Sequence, residues 1–223
     1  MRWRRACVIA AALLASAAAA ADLPQARSGD GRWQVVAEGL TVAVYDGGMR
    51  VKTLVATGRE GRDAPSAVAA IRHLPARRSF VVAFDTLAEL WELSIDPQAA
   101  PIFDGLVHDW RLGEAIAAPG YLGARRTRLE QPLHELAVDD SGAYVLGRTK
   151  AALDGRVRLH LVQLDIRRTI GRFVLDADPD LAATQTLRDD GRLLLSVPDR
   201  RGGPATVVDL RRARLVPRDE PTR

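Results

Sequence analysis

One pattern recurs along the chain and limits what it can fold into. A β-rich run meets a turn containing Asp and Gly, a second β-rich run follows, and a third run closes on an acid. It reads His134-Glu135-Leu136-Ala137-Val138, Asp139-Asp140-Ser141-Gly142, Ala143-Tyr144-Val145-Leu146-Gly147. It returns as Ala183-Thr184-Gln185-Thr186-Leu187, Arg188-Asp189-Asp190-Gly191, Arg192-Leu193-Leu194-Leu195-Ser196. Gly142 and Gly191 are 49 residues apart. Earlier, Thr41–Tyr45 and Met49–Val55 flank Asp46-Gly47-Gly48, and Ser66–His73 and Ser79–Phe84 flank Leu74–Arg78. Third runs at Leu90–Ile95, Leu159–Leu164 and Thr206–Val208 end at Asp96, Asp165 and Asp209. β-Branched and apolar runs joined by Asp-Gly turns are the short-range signature of antiparallel hairpins.

A four-stranded unit at this spacing has the sequence form of a β-propeller blade. Each blade has two faces to bury and relies on its neighbours to cover them. The expected fold class is therefore all-β, with β-propeller-like repeats over residues 33–217 in about four blades and one long inserted loop at 97–132. Similar hairpins could also be stacked as a β-sandwich. The count admits a closed four-bladed ring or half of a larger one.

The N-terminus reads as a signal peptide. Met1-Arg2-Trp3-Arg4-Arg5 is basic, Ala6–Ala20 is uncharged and alanine-rich, and Ala19-Ala20-Ala21 offers a cleavage site before Asp22. The apolar run is short for a membrane span. Cleavage after residue 21 would remove Cys7, the only cysteine, and with it any disulfide or thiolate chemistry. It would also remove Arg2, Arg4 and Arg5, lowering the net charge from +4 to +1, so a nucleic-acid-binding footprint is not supported. A cysteine-free secreted domain fits the periplasm, with no membrane association once the leader is cleaved. Residues 22–32, with Pro24, Gly29 and Gly31, are expected to be a flexible leading segment, and 218–223 a tail.

The insertion 97–132 carries Pro97, Pro101, Pro119 and Pro132, but also Ile102, Phe103, Leu106, Trp110, Ile116 and Tyr121. A loop this long is usually functional or disordered, and its apolar content argues for a packed cap. His108 beside Asp109 is a candidate iron or metal ligand with an orienting carboxylate, and His134 is a second candidate. A hydrogen bond within the loop is the plainer role for His108. Arg125, Arg126 and Arg128 form a local cationic group suited to carboxylates, or to pairing with Glu89, Glu92 or Glu130. Trp110 and Trp91 could face a flat ligand, although core packing is the better expectation for Trp91. His73 and His160 stand in strand runs beside polar residues, where surface exposure is expected. Phosphate-binding glycine loops, Gly-x-Ser-x-Gly and cysteine nucleophiles are missing, so no catalytic residue is assigned.

Glu89-Leu90-Trp91-Glu92-Leu93-Ser94-Ile95-Asp96-Pro97, with Pro101-Ile102-Phe103-Asp104-Gly105-Leu106-Val107-His108-Asp109, Pro119-Gly120-Tyr121-Leu122 and Arg125-Arg126-Thr127, resembles the cytochrome d1-haem domain-like β-propeller family. That family comprises the haem domain of periplasmic haem nitrite reductases and paralogues of haem d1 biogenesis. The resemblance is sharpest over residues 80–147. It implies a propeller that binds a modified haem at one end of its axis, and hence a periplasmic haem d1-binding or biogenesis-type protein in the setting of denitrification. His108 and His134 are the candidate iron ligands, with Asp109, Trp110, Arg125 and Arg126 around the haem. There is no Cys-x-x-Cys-His, so no c-type haem is expected. The chain is about half the length of the family's eight-bladed ring, so a protein partner or a second copy would complete the propeller. The alternative function is a cofactor-free periplasmic interaction module.

Overall fold

A computed structural model of the protein describes residues 23–58, 64–103, 117–150 and 154–217. These residues form four antiparallel sheets of four strands, each sheet a meander in chain order. The first holds β1 (Gln25–Arg27), β2 (Trp33–Glu38), β3 (Thr41–Asp46) and β4 (Met49–Val55), and the second β5 (Val68–Leu74), β6 (Ser79–Phe84), β7 (Glu89–Ser94) and β8 (Ala124–Arg128). The third holds β9 (Glu135–Val138), β10 (Tyr144–Arg148), β11 (Val157–Gln163) and β12 (Arg168–Leu175). The fourth holds β13 (Gln185–Asp189), β14 (Arg192–Val197), β15 (Thr206–Asp209) and β16 (Arg214–Leu215). The all-β, blade-like expectation of about four units holds.

The turns explain the local register. Asp46 pairs with Met49 across Gly47 and Gly48, whose φ values of 54° and 86° make a two-residue loop with both central residues left-handed. Asp189 likewise pairs with Arg192 across Asp190 (φ 43°) and Gly191 (φ 75°). In β2 the period-two alternation buries Trp33, Val35 and Ala37 while Gln34, Val36 and Glu38 face the other way.

Three apolar clusters join successive sheets. Trp33, Val35, Phe80, Val82 and Trp91 lie between the first and second, Ala70, Leu74, Leu133, Leu136 and Val162 between the second and third, and Leu146, Leu159, Phe173, Leu195 and Val208 between the third and fourth. Among the described residues no such cluster joins the fourth sheet to the first, so the blades form an arc with two end faces. The end face of the first sheet carries internally paired polar side chains beside the exposed Val55. Gln34 Nε2 donates to Gln25 at 2.8 Å, Tyr45 Oη donates to Glu38 at 2.5 Å, and Arg50 Nη2 donates to Glu38 Oε2 at 2.7 Å.

The first strands of the blades lie side by side along the concave, axis side. Arg72 Nε of β5 donates to the Leu136 carbonyl of β9 at 3.0 Å, and the Asp140 amide after β9 donates to Thr186 Oγ1 of β13 at 3.2 Å. The meander sends two kinds of connection to two opposite ends. The β1–β2 and β3–β4 turns and their counterparts mark a hairpin end, and the sheet-to-sheet crossovers mark a crossover end.

Two sequence expectations need correction. Within the leading segment 22–32, Gln25–Arg27 is a strand paired with Gln34–Val36, because antiparallel backbone bonds do not require apolar side chains. The inserted loop is shorter than 97–132 at its far end. Ala124–Arg128 pairs with Glu89–Leu93 and completes the second blade as an outer edge, where charged side chains are tolerated. The described parts of the remaining connection, 95–103 and 117–123, lie at the hairpin end, anchored by Leu122 N–H to the Ser94 carbonyl at 2.8 Å and by an Ile102–Ala118 bridge.

Candidate functional site

Of the residues singled out in sequence, His108, Asp109 and Trp110 lie outside the described residues. Arg125 and Arg126 do not form one cationic group, because successive strand residues point to opposite sheet faces. Arg125 Nη2 donates to the Ala100 carbonyl at 2.7 Å, which ties β8 to the connection over the hairpin end. The Arg126 guanidinium lies 4.3 Å from the Trp91 ring centroid, and its Nη1 donates to the Thr57 carbonyl at 2.9 Å. Glu89 Oε2 sits 3.6 Å from that nitrogen and accepts the Trp91 indole N–H at 2.8 Å. Trp91 is fully buried, as expected for a core residue. Arg126 is thus the lid of a buried Trp–Glu pair between the first two blades, which desolvates the ring face and strengthens the cation–π contact.

His134 stands apart from these arginines, at the crossover end, where the chain leaves β8 and begins β9. Its backbone N–H bonds the Arg148 carbonyl at 2.7 Å, which fixes it beside β10. Two further connections reach the same end. The β6–β7 connection brings Asp85, whose N–H bonds the Ala67 carbonyl at 2.9 Å. The β10–β11 connection brings Lys150. His134 Nδ1 lies 3.3 Å from Asp85 Oδ1, and Lys150 Nζ lies 2.8 Å from the same oxygen.

Burial first and the Lys150 ammonium second hold the His134 imidazole below its ordinary value, against the upward pull of Asp85 and Glu135. His134 is therefore neutral at pH 7, the form that can donate a lone pair to a metal. Lys150 holds the Asp85 carboxyl below the usual carboxylate range, so Asp85 is ionised.

Beside this trio runs a chain of ion pairs. Arg148 Nη1 lies 2.8 Å from Asp178 and 3.4 Å from Glu135, while Arg200 Nη2 lies 2.6 Å from Glu135 and 3.6 Å from Asp180. These pairs tie the third blade to the fourth at the crossover end. His134 and Glu135 also line a cleft of about 240 Å³ on the axis side, with Pro24, Gln25, Ile71 and Arg72. Drug-sized ligands usually occupy roughly 300–1,000 Å³, so the arc offers one wall of a site. Among the described residues no group of three His, Cys, Asp or Glu is arranged to hold a metal ion. An imidazole is available there as a single donor.

The sequence singles out His134 but not Asp85, Lys150 or Arg72, which the fold brings beside it. The missed signal was the phase of the repeat. Connections that leave the second strand of a blade share an end with the crossovers, which places 85, 134 and 150 together. His73 and His160 also differ from expectation. His73 is half-buried with its ring 4.8 Å from Phe80, and His160 is only 4% exposed. Both are covered because alternate strand positions face a neighbouring blade.

Dihydro-haem d1 dehydrogenase of Pseudomonas aeruginosa is 27% identical over 185 residues, which cover 82% of this chain and 32% of that one. The solved structure of dihydro-haem d1 dehydrogenase NirN in complex with DHE superposes with a TM-score of 0.62 at 22% identity, covering 86% of this chain and 36% of that one. The chain therefore spans about a third of the length of the relative it matches. No protein-family model matches the sequence. The resemblance to d1-haem propellers drawn from residues 80–147 holds, and the chain is homologous to dihydro-haem d1 dehydrogenase.

Proposed function

We propose that this relative of dihydro-haem d1 dehydrogenase is a periplasmic haem d1-related binding or biogenesis-type protein, non-catalytic by itself, with His134 facing the iron. The observation that carries the reading is a half-buried imidazole 3.3 Å from the Asp85 carboxylate, at the edge of the axis-side cleft of a d1-type propeller fold. The donor set suits the group. A neutral imidazole is a common iron ligand, and the adjacent Lys150 ammonium is available to a ligand carboxylate. A bound haem would supply the iron centre and its ligand chemistry. The chain would supply an oriented nitrogen donor and a wall from β1, β5 and β9.

The cleft is small for a macrocycle, so the opposite wall would come from a protein partner or a second copy of the chain. The basic leader and the Ala19-Ala20-Ala21 site support export. No helix of the described residues is long and apolar enough to cross a membrane. Titrating the purified mature chain with haem d1 tests the reading. Saturable one-to-one absorbance changes are expected, and they should be lost in His134→Ala. Identical spectra for the two proteins would overturn His134 as ligand.

A second reading has its own support. The crossover-end arginines Arg148 and Arg200 are already paired with acids, which fits a cofactor-free interaction module as well as a haem protein. It predicts no haem uptake and a defined complex by light scattering in periplasmic extract.

A further inference from the structure

Asp85 Oδ1 faces two partners at once. Lys150 Nζ lies 2.8 Å away and His134 Nδ1 3.3 Å away, and the three side chains arrive from three separate connections. A carboxylate oxygen repels the lone pair of an unprotonated ring nitrogen and attracts an N–H, so the nitrogen beside it is the protonated one. The other ring nitrogen, Nε2, then keeps its lone pair. A second-sphere carboxylate of this kind fixes both the tautomer and the ring orientation of a ligating imidazole.

We propose that Asp85 is a positioning residue that holds His134 as the Nδ1–H tautomer and leaves Nε2 as the donor, and that Lys150 sets the strength of this hold by sharing the same carboxylate oxygen. The proposal rests on the reading of His134 as the ligand-facing histidine, and it deepens that reading. It also couples the two halves of the site. A ligand carboxylate that draws off Lys150 would leave Asp85 wholly to His134, so binding at the periphery would stiffen the donor and raise its basicity. Asp85 takes no part in the apolar joints, and its side chain is 40% exposed, so its replacement leaves the core intact.

The test needs no haem. Long-range 15N–1H spectra of the mature chain report which ring nitrogen carries the proton, with the His134 signals assigned by their loss in His134→Gln. The wild type should show Nδ1–H in excess by about tenfold, the effect of a carboxylate charge 3.3 Å from the ring nitrogen. Asp85→Ala should reverse the preference to Nε2–H. Lys150→Met should keep Nδ1–H and move its proton further downfield. A wild type in the Nε2–H form would overturn the proposal, as would a tautomer ratio indifferent to Asp85→Ala. If the Nδ1–H form is found but haem d1 does not bind, the ligand reading fails and the positioning role stands.

Discussion

His160 is buried although its sequence neighbourhood points to the surface. It pairs with Gly147 and Arg172 in the third sheet, and Leu133 lies so close over Gly147 that the face is closed to water. Its Nδ1 has no hydrogen-bond partner. Burial, and secondarily the Arg172 guanidinium, hold its imidazole below the ordinary value, with Glu130 pulling the other way. The sign follows from linkage. The folded state binds the proton less well than the unfolded chain, so this contribution is present above the unfolded value of about 6.5 and is lost as pH falls below it. Urea midpoints should therefore drop between pH 7 and pH 5.5, and His160→Gln should flatten that slope, since among the described residues it removes one of three imidazoles, with His73 and His134, that burial holds below the ordinary value. An unchanged slope would show that His160 does not contribute to it. Arg126 makes a second residue-scale case. Arg126→Ala removes the cover from Trp91 and should cost about 1–2 kcal/mol in denaturant unfolding, with little effect on haem d1 affinity. A large affinity loss with unchanged stability would restore Arg126 to the ligand site.

The elements read unevenly from sequence, and the reasons are physical. Hairpins with Asp-Gly loops were legible because their left-handed loop positions demand Gly, Asn or Asp, and Gly47, Gly48 and Gly191 supply them. β1 and β8 were not, because Gln25-Ala26-Arg27 and Ala124-Arg125-Arg126-Thr127-Arg128 lack apolar alternation. Their pairing is supplied by the neighbouring strand. The crossover into the third blade was hidden for a similar reason. Its packing depends on Gly147, a glycine with no unusual φ that is needed only for space. A Cβ there would lie 2.4 Å from Leu133 Cδ1. Gly147→Ala should therefore overpack the joint and destabilise the fold by about 1–3 kcal/mol. Because His134 follows Leu133 directly, the same variant should broaden or shift the His134 ring signals. A fully stable Gly147→Ala with unshifted signals would mean that the crossover can move aside freely.

At the scale of the molecule, stability is divided among three joints between four blades, an arrangement close to a one-dimensional chain of neighbours. The number of blades was legible from the repeat period. How the arc ends was not, because that depends on which strand faces are polar in three dimensions, as with Glu38, Tyr45 and Arg50 on the first sheet. The candidate site was half-legible for a related reason. His134 announces its chemistry, whereas Asp85 and Lys150 matter only because connections from different blades meet. The central joint is the one on which the two halves depend. Leu136 is fully buried there between the second and third blades, and Leu136→Ala should cost about 2–5 kcal/mol. Trp33 and Trp91, the only tryptophans among the described residues, both belong to the joint between the first two blades. In the mature chain carrying Trp110→Phe, the fluorescence of this pair therefore follows the N-terminal half, while far-UV circular dichroism follows all four sheets. That chain should unfold in urea with the two signals superimposed, and adding Leu136→Ala should separate them into two transitions as the halves lose their common joint. Superimposed curves in the variant would show that the outer joints are too weak to stand without the centre, and that the arc folds as one unit.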